Sequence, residues 1–388
     1  MRILVLTKRH YMGKDLLEDR FGRFRELPLE LARLGHKIKG IAISYRQRSE
    51  GTFLDCDPSG HAEVIWHSFN LTNGFTPCFQ QLFNRTIGIA REFDPELIWA
   101  CSDAYHAIFG AWLAARVNTR CVIDLYDNFE AFTATKFPAV SSLFRRAIRQ
   151  VPGVTCFSQR MADHVTRTYR RKKPIVVIES AVDKTLFRSQ NQKECRQRLK
   201  LPDEAPIIGT AGALHSSRGI DTLFQAYDIL AAENSNLHLA LAGPRERGVQ
   251  IPNGPRIHDF GTLPHHEIPC FNNSLNVAVV CYRRSAQGDF SFPQKAYEII
   301  SCRVPIIAAA VGTMNEVLRT YPSCLYEPED ATSLANAARK QLQSRIIVDN
   351  DVPSWADSAK QLEHFFERIS QGNIRSVGGE LSADEVSR

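Results

Sequence analysis

The ten cysteines of this 388-residue chain form no pattern. None stands in a Cys-x-x-Cys pair, and none joins histidines at a zinc-like spacing. Zinc modules and thioredoxin-type redox motifs are thereby excluded. Cys101, Cys121, Cys156 and Cys281 lie in apolar runs and read as small buried hydrophobes of a reducing compartment. His265 and His266 are adjacent, which is poor geometry for one metal. No block of basic residues marks a nucleic-acid arm. No apolar run is long enough to cross a bilayer, and the opening MRILVLTKRH is too short for a signal peptide. A Walker loop and a spaced GxGxxG are also missing. The expectation is a cytoplasmic protein with no cofactor, no metal site and no nucleic-acid partner.

What is present is ordinary globular material, 44% hydrophobic and 23% charged. The net charge of +6 suits a protein that handles anionic small molecules or touches the inner membrane surface. Arg145, Arg146 and Arg149 form one small basic cluster, and Arg170, Arg171, Lys172 and Lys173 another; solvated faces explain both. Such a length implies two domains.

Short β-rich apolar runs alternate with helical patterns, which predicts βαβ units and parallel sheets. The first series of strands is RILVLT (2–7), 36–44, 62–67, 96–102, 120–126, 154–158 and 174–180. Helices are predicted at 23–34, 79–92, 104–117, 140–149 and 159–169, the first closed by Gly35. Residues 184–205 read as a charged loop. A second series follows at 206–212, 237–243, 256–261, 277–282, 305–309 and 324–327, with helices at 219–233, 266–272, 293–302, 314–319 and 331–343. The fold class is α/β, with two doubly wound Rossmann-like domains facing a cleft. The expected domains are 1–183 and 184–352. The helix at 353–370 is expected to pack back on the first domain, and 373–388 to form a disordered tail. In such sheets ligands sit at the carboxyl ends of strands, beside helix N-termini.

Two stretches there carry chemistry. In GTAGALHSSRGIDTLFQAY (209–227) glycines end a strand and Arg218 stands at a helix start. Orphan N–H groups and a guanidinium fork suit a diphosphate; an ordinary βα turn would look similar. In GDFSFPQKAYEIISCRVPIIAA (288–309) Ser291 and Gln294 form a capping-box pattern, with Pro293 near the helix start. Lys295 in the first turn opposes the helix dipole, which suggests a compensating anion. Glu298, one turn on, can accept hydrogen bonds from vicinal hydroxyls. A solvated i,i+3 pair is the plainer alternative and on spacing alone the preferred one. Trp66, Trp99 and Trp112 read as core. Asp103 and His106 read equally as a helix cap and as an acceptor contact.

PQKAYEIISCRVPIIAAAVGTMNEV (293–317) resembles the signature of family 4 glycosyltransferases, retaining enzymes of GT-B fold, in the P-x-K-x-x-E variant. Pro293, Lys295, Glu298, Pro305, Gly312 and Glu316 match it. GTAGALHSSRGIDTLFQAY resembles the family's diphosphate loop, GRFRELPLELARLGHKI its first loop and helix, 95–132 its acceptor-side strands, and IESAVDKTLF its hinge. Departures are Phe290 for a first glutamate, Ala213 for a phosphate-binding arginine, Ser180 or Glu179 for the hinge asparagine, and Phe129 for a histidine. The double glycine of the first loop is reduced to Phe21-Gly22.

The resemblance implies these roles. Arg218, Lys295 and Glu298 are the catalytic set: Arg218 and Lys295 on the diphosphate, Glu298 on the ribose. Gly212, Ser291, Gly312 and Thr313 approach the donor, Thr262 and Leu263 the base, and Gly22 the phosphate or acceptor. Asp127, Glu130 and His106 face the acceptor. The implied activity is retaining, metal-independent transfer from a UDP- or GDP-sugar to a glycan or lipid-linked acceptor, in bacterial surface polysaccharide synthesis. The alternatives are a GT-B sugar-nucleotide epimerase and an inactive sugar-nucleotide-binding or scaffolding member of an assembly complex. The oligomeric state is not legible.

Overall fold

The computed structural model describes residues 1–372 except 12, 58, 74, 75, 78, 132, 286–289 and 291–293. The readings at Ser291, Pro293 and 373–388 lie outside the described residues. Two compact units result, one from Met1–Ile178 with the chain from Ala359 on, the other Glu179–Ser358.

In the first unit, β1 (Arg2–Lys8) has five successive buried residues, as a strand covered on both faces requires. A small hairpin follows, β2 (His10–Tyr11) and β3 (Lys14–Asp15), in a stretch where no strand was predicted. Next come α1 (Arg23–Arg33), β4 (Lys37–Ser44), β5 (Gly51–Cys56), β6 (Glu63–Asn70), the short pair β7 (Thr72–Asn73) and β8 (Thr76–Pro77), and α2 (Phe79–Phe93). The unit continues with β9 (Leu97–Ala100), α3 (Ala104–Arg116), β10 (Arg120–Leu125), α4 (Pro138–Gln150), β11 (Gly153–Cys156), α5 (Gln159–Thr168) and β12 (Ile175–Val177). Eight strands form one sheet in the order β12-β11-β10-β9-β1-β4-β6-β5. All pairings are parallel except that of β5 with β6. The chain reverses direction between β1 and β9, which makes the carboxyl ends of those strands the natural ligand crevice.

The second unit holds α6 (Gln192–Arg198), β13 (Ile207–Ala211), α7 (Ile220–Glu233), β14 (His238–Ala242), β15 (Ile257–Asp259), α8 (Ile268–Ser274) and β16 (Val277–Val280). Then follow α9 (Gln294–Ser301), β17 (Ile306–Ala309), α10 (Thr313–Val317), β18 (Leu325–Tyr326) and α11 (Ala331–Gln343). Its six-stranded sheet, β15-β14-β13-β16-β17-β18, is parallel throughout and reverses between β13 and β16. Strand residues alternate between two cores. Ala278, Val280, Ile306 and Ala308 pack on one face; Val277, Val279, Ile307 and Ala309 pack on the other.

The last helix is α12 (Trp355–Ser370). Its Phe366 ring meets Trp99 at 5.8 Å, and Glu363 bonds His36 at 2.8 Å. A Cβ on Gly153 would lie 2.9 Å from the Phe365 ring, so β11 needs glycine where the helix crosses it.

Four expectations fail. Arg171 is not on a solvated face but buried, where it donates to the Ile148, Val151 and Pro174 carbonyls. Residues 184–205 are not all loop, because α6 forms there: Asn191 caps it, and its Arg196 is buried on the Ser274 and Asp203 carbonyls and Asn276. Charge density hid a side chain that is internal. Strand β5 was absent from the sequence reading, since an antiparallel edge strand with Leu54 exposed lacks the buried apolar run. Trp112 is not core but 42% exposed, stacked on Phe109. Trp66 and Trp99 are buried.

Candidate functional site

The second unit's reversal point is built from glycines. Gly212 ends β13 at φ 119 and donates to the Ala242 carbonyl at 2.8 Å. Gly243 ends β14 and donates to the Gly261 carbonyl at 2.6 Å. A side chain on Gly243 would run into the Gly212 carbonyl. Three strand ends are thus drawn close with no side chain on Gly212 or Gly243 between them, the kind of strand-end arrangement a phosphate can approach.

Two cations converge there. Tyr282 follows β16, and both Arg218 Cζ and Lys295 Nζ lie 6.0 Å from its ring centroid. Neither makes an ion pair with a carboxylate among the described residues. Lys295 runs beside Gly212, where an added Cβ would stand 3.7 Å from its Cδ. Burial, reinforced by Arg218 against the opposing pull of Cys281 and Glu298, pushes the Lys295 ammonium down to about 8. Two like charges gathered on one ring, with no carboxylate ion pair among the described residues, describe a place for an anion. Gly219, in the left-handed region at φ 77, starts α7 directly after Arg218.

Glu298 lies one turn beyond Lys295, almost buried, with His265 Nε2 3.9 Å from its Oε1. Gly312 precedes α10 at φ 51, and the Thr313 hydroxyl is buried without a hydrogen-bond partner among the described residues. Thr262 is exposed past the end of β15, while Leu263 packs partly against the core. Gly212, Arg218 and Lys295 therefore lie together beside Tyr282, with Glu298 one turn further along α9; Thr262, Leu263, Gly312 and Thr313 follow the ends of β15 and β17.

The first unit holds the remaining predicted residues. Gly22 caps α1 at φ 90, and a Cβ there would collide with the Tyr11 hydroxyl, which donates to the Phe21 carbonyl at 2.8 Å. His106 is buried in the first turn of α3, its Nδ1 2.8 Å from Oδ1 of the capping Asp103. Asp127 follows β10 and accepts from the next residue's N–H. Glu130 is directed elsewhere: its carboxylate holds Arg145 at 2.8 Å. Phe129, between them, is buried. Sequence reasoning missed Tyr282, though its place at the end of a central strand was a usable signal. Two Asp-x-Asp runs also escaped it. Asp55 is held by Arg25 and Asp57 by Arg33; in the other run, Asp349 pairs with Arg303 and Asp351 with Lys184. Among the described residues no cluster of three metal-ligating side chains occurs.

Comparison with known proteins decides the family. Residues 23–186 match the model of Glycosyltransferase Family 4, and residues 205–344 that of Glycosyl transferases group 1. The chain belongs to glycosyltransferase family 4. Among family relatives, the D-inositol 3-phosphate glycosyltransferase of Nocardioides sp. is 27% identical over 52% of this chain. The chain spans 50% of that protein's length, about half. The phosphatidylinositol N-acetylglucosaminyltransferase gpi3 subunit of Schizosaccharomyces pombe is 21% identical over 91% of this chain and 78% of its own. The crystal structure of Anabaena Alr3699/HepE in complex with UDP superposes with a TM-score of 0.68 at 16% identity, over 96% of this chain and 98% of that one. The family's GT-B fold is therefore the fold of this chain.

Proposed function

We propose that the chain moves a sugar from a nucleotide diphosphate sugar, UDP- or GDP-linked, to an acceptor with retention. The observation that carries this is the pair Arg218 and Lys295, two cations on the Tyr282 ring with no carboxylate partner among the described residues. Glu298 is positioned to accept the ribose hydroxyls. In the reaction the bond from the anomeric carbon to the diphosphate breaks, and its electrons leave with the diphosphate. Arg218 and Lys295 stabilise that charge, the role a metal would otherwise fill. The acceptor oxygen bonds the same face of the anomeric carbon, and its proton passes to the departing diphosphate. Gly22 and the strand ends of the first unit would serve the acceptor.

The acceptor is proposed to be a glycan or lipid-linked sugar of a bacterial surface polysaccharide. One surface favours work beside anionic lipid. Helix α4 contains no acidic residue, and its outer side carries Phe137, Leu143, Arg146 and Arg149, with Phe137 62% exposed. Lys172 and Lys173 add exposed charge, and Lys173 reaches the Gln150 carbonyl at the helix end. No described helix is long and apolar enough to cross a membrane, so such contact would be peripheral. Calorimetry with UDP, GDP and their glucose conjugates tests the donor assignment. Saturable binding of one of them supports it, and absence of binding to all refutes it.

A further inference from the structure

A second group of cations lies in the first unit. It rests at the carboxyl ends of β1 and β4, beside that sheet's own reversal point. Lys8 closes β1, and its main-chain N–H donates to Ser102 Oγ at 2.8 Å. Ser102 sits just past β9 in the left-handed region at φ 84, a costly conformation for serine. Lys8 Nζ hangs 5.5 Å from the ring centroid of Tyr45, which follows β4. Tyr45 donates to Asp103 Oδ2 at 2.8 Å and stacks on His106 with centroids 5.9 Å apart. Asp103 is thereby committed to Tyr45 and His106.

Around His10 the positive charge is not balanced. Arg46 Nη1 lies 3.4 Å from His10 Nε2. Burial first, then Arg46, with Arg48 and Lys8 adding and only Asp15 opposing, lower the His10 pKa. All three cations thus act on one ring. Lys8 and Arg46 have no carboxylate partner among the described residues. Arg48 approaches Asp15 only at 3.6 Å, and Asp15 is already held by the buried Arg9 at 2.9 Å. Arg46 and Arg48 are exposed and Lys8 half-buried, and three cations focused at strand ends of a parallel sheet raise the local concentration of anions.

We propose that Lys8, Arg46 and Arg48, gathered round His10, form an acceptor subsite that takes a phosphate or carboxylate group carried by the acceptor. Tyr45 forms its wall toward Asp103 and His106. This deepens the transferase assignment, on which it rests, by making the acceptor an anion.

The test titrates the full chain, saturated with UDP, with glucose 6-phosphate, glucuronate and glucose, followed by NMR or calorimetry. The titration is repeated in an Arg218→Ala Lys295→Met background, where the other crevice lacks its cations. At least one anionic sugar should bind ten-fold or more tightly than glucose. Preference for the phosphate monoester or for the carboxylate identifies the group. Arg46→Glu, at an exposed position, and Lys8→Met should each erase the preference while UDP affinity is unchanged. Equal binding of all three sugars overturns the proposal, as does an anion preference that survives Arg46→Glu. Failure of UDP to bind would instead refute the donor assignment, and the double-variant background would still report on the anion subsite.

Discussion

Arg23 and Asp124 meet as a buried ion pair with two hydrogen bonds, Nε to Oδ2 at 3.1 Å and Nη2 to Oδ1 at 2.9 Å. Arg23 also donates to the Ile178 carbonyl, and Thr155 donates to Asp124. The pair ties the first turn of α1, and with it Gly22, to strand β10. Removing one partner strands the other charge without solvent. Asp124→Ala should therefore cost about 3–5 kcal/mol, measured by urea unfolding of the full chain. A loss below about 1 kcal/mol would show the pair to be dispensable.

Gly22 has no room for a side chain, although its carbonyl accepts from the Arg25 and Glu26 N–H groups. Gly22→Ala places a methyl group against Tyr11 and forces a non-glycine residue to φ 90. A cost of about 1–3 kcal/mol is expected from the backbone alone. Sugar transfer should fall more than UDP affinity does, because Gly22 belongs to the unit assigned to the acceptor. Equal falls in transfer and in UDP affinity would place Gly22 with the donor.

The Lys295 ammonium gives a pH signature. Its pKa of about 8 in the free protein lies below the ordinary lysine value. A diphosphate binds the protonated form, so binding must raise that pKa. Above the terminal phosphate's own titration near pH 6, UDP affinity should be level up to about pH 8 and fall as pH rises further, approaching about ten-fold per pH unit. Lys295→Arg should flatten this region, since arginine stays charged. A wild-type profile that is level between pH 7 and 9.5 would remove Lys295 from the phosphate site.

Helix α4 predicts a lipid preference. The chain should sediment with vesicles containing phosphatidylglycerol and not with pure phosphatidylcholine, and less so as salt rises. Arg146→Glu combined with Leu143→Ser should abolish the association. Sedimentation of that variant equal to wild type would exclude this face.

Much of the fold was legible because buried parallel strands are written as unbroken apolar runs. RILVLT and VAVV have no other easy use. The edge strand β5 and helix α6 were not, for opposite reasons. Leu54 faces solvent, breaking the apolar signal, while the buried Arg196 carries a charge that sequence alone assigns to the surface. At the candidate site, spacing alone favoured a solvated pair for Lys295 and Glu298 and left Arg218 in what could be an ordinary turn; the family resemblance singled the three out. The meeting of Arg218 and Lys295 at Tyr282 was not legible, because local periodicity says nothing about side chains from distant segments. The resemblance also offered Asp127 and Glu130 together as acceptor contacts, and sequence could not show that the Glu130 carboxylate is bonded to Arg145.

The central claim is that Arg218, Lys295 and Glu298 serve a nucleotide and not the fold. Calorimetric UDP affinity and melting temperature, measured together for wild type, Arg218→Ala and Glu298→Ala, test it most directly. Each substitution should weaken UDP binding by at least ten-fold while shifting the melting temperature little. Unchanged affinity with a large drop in melting temperature would contradict the account and return these residues to structure.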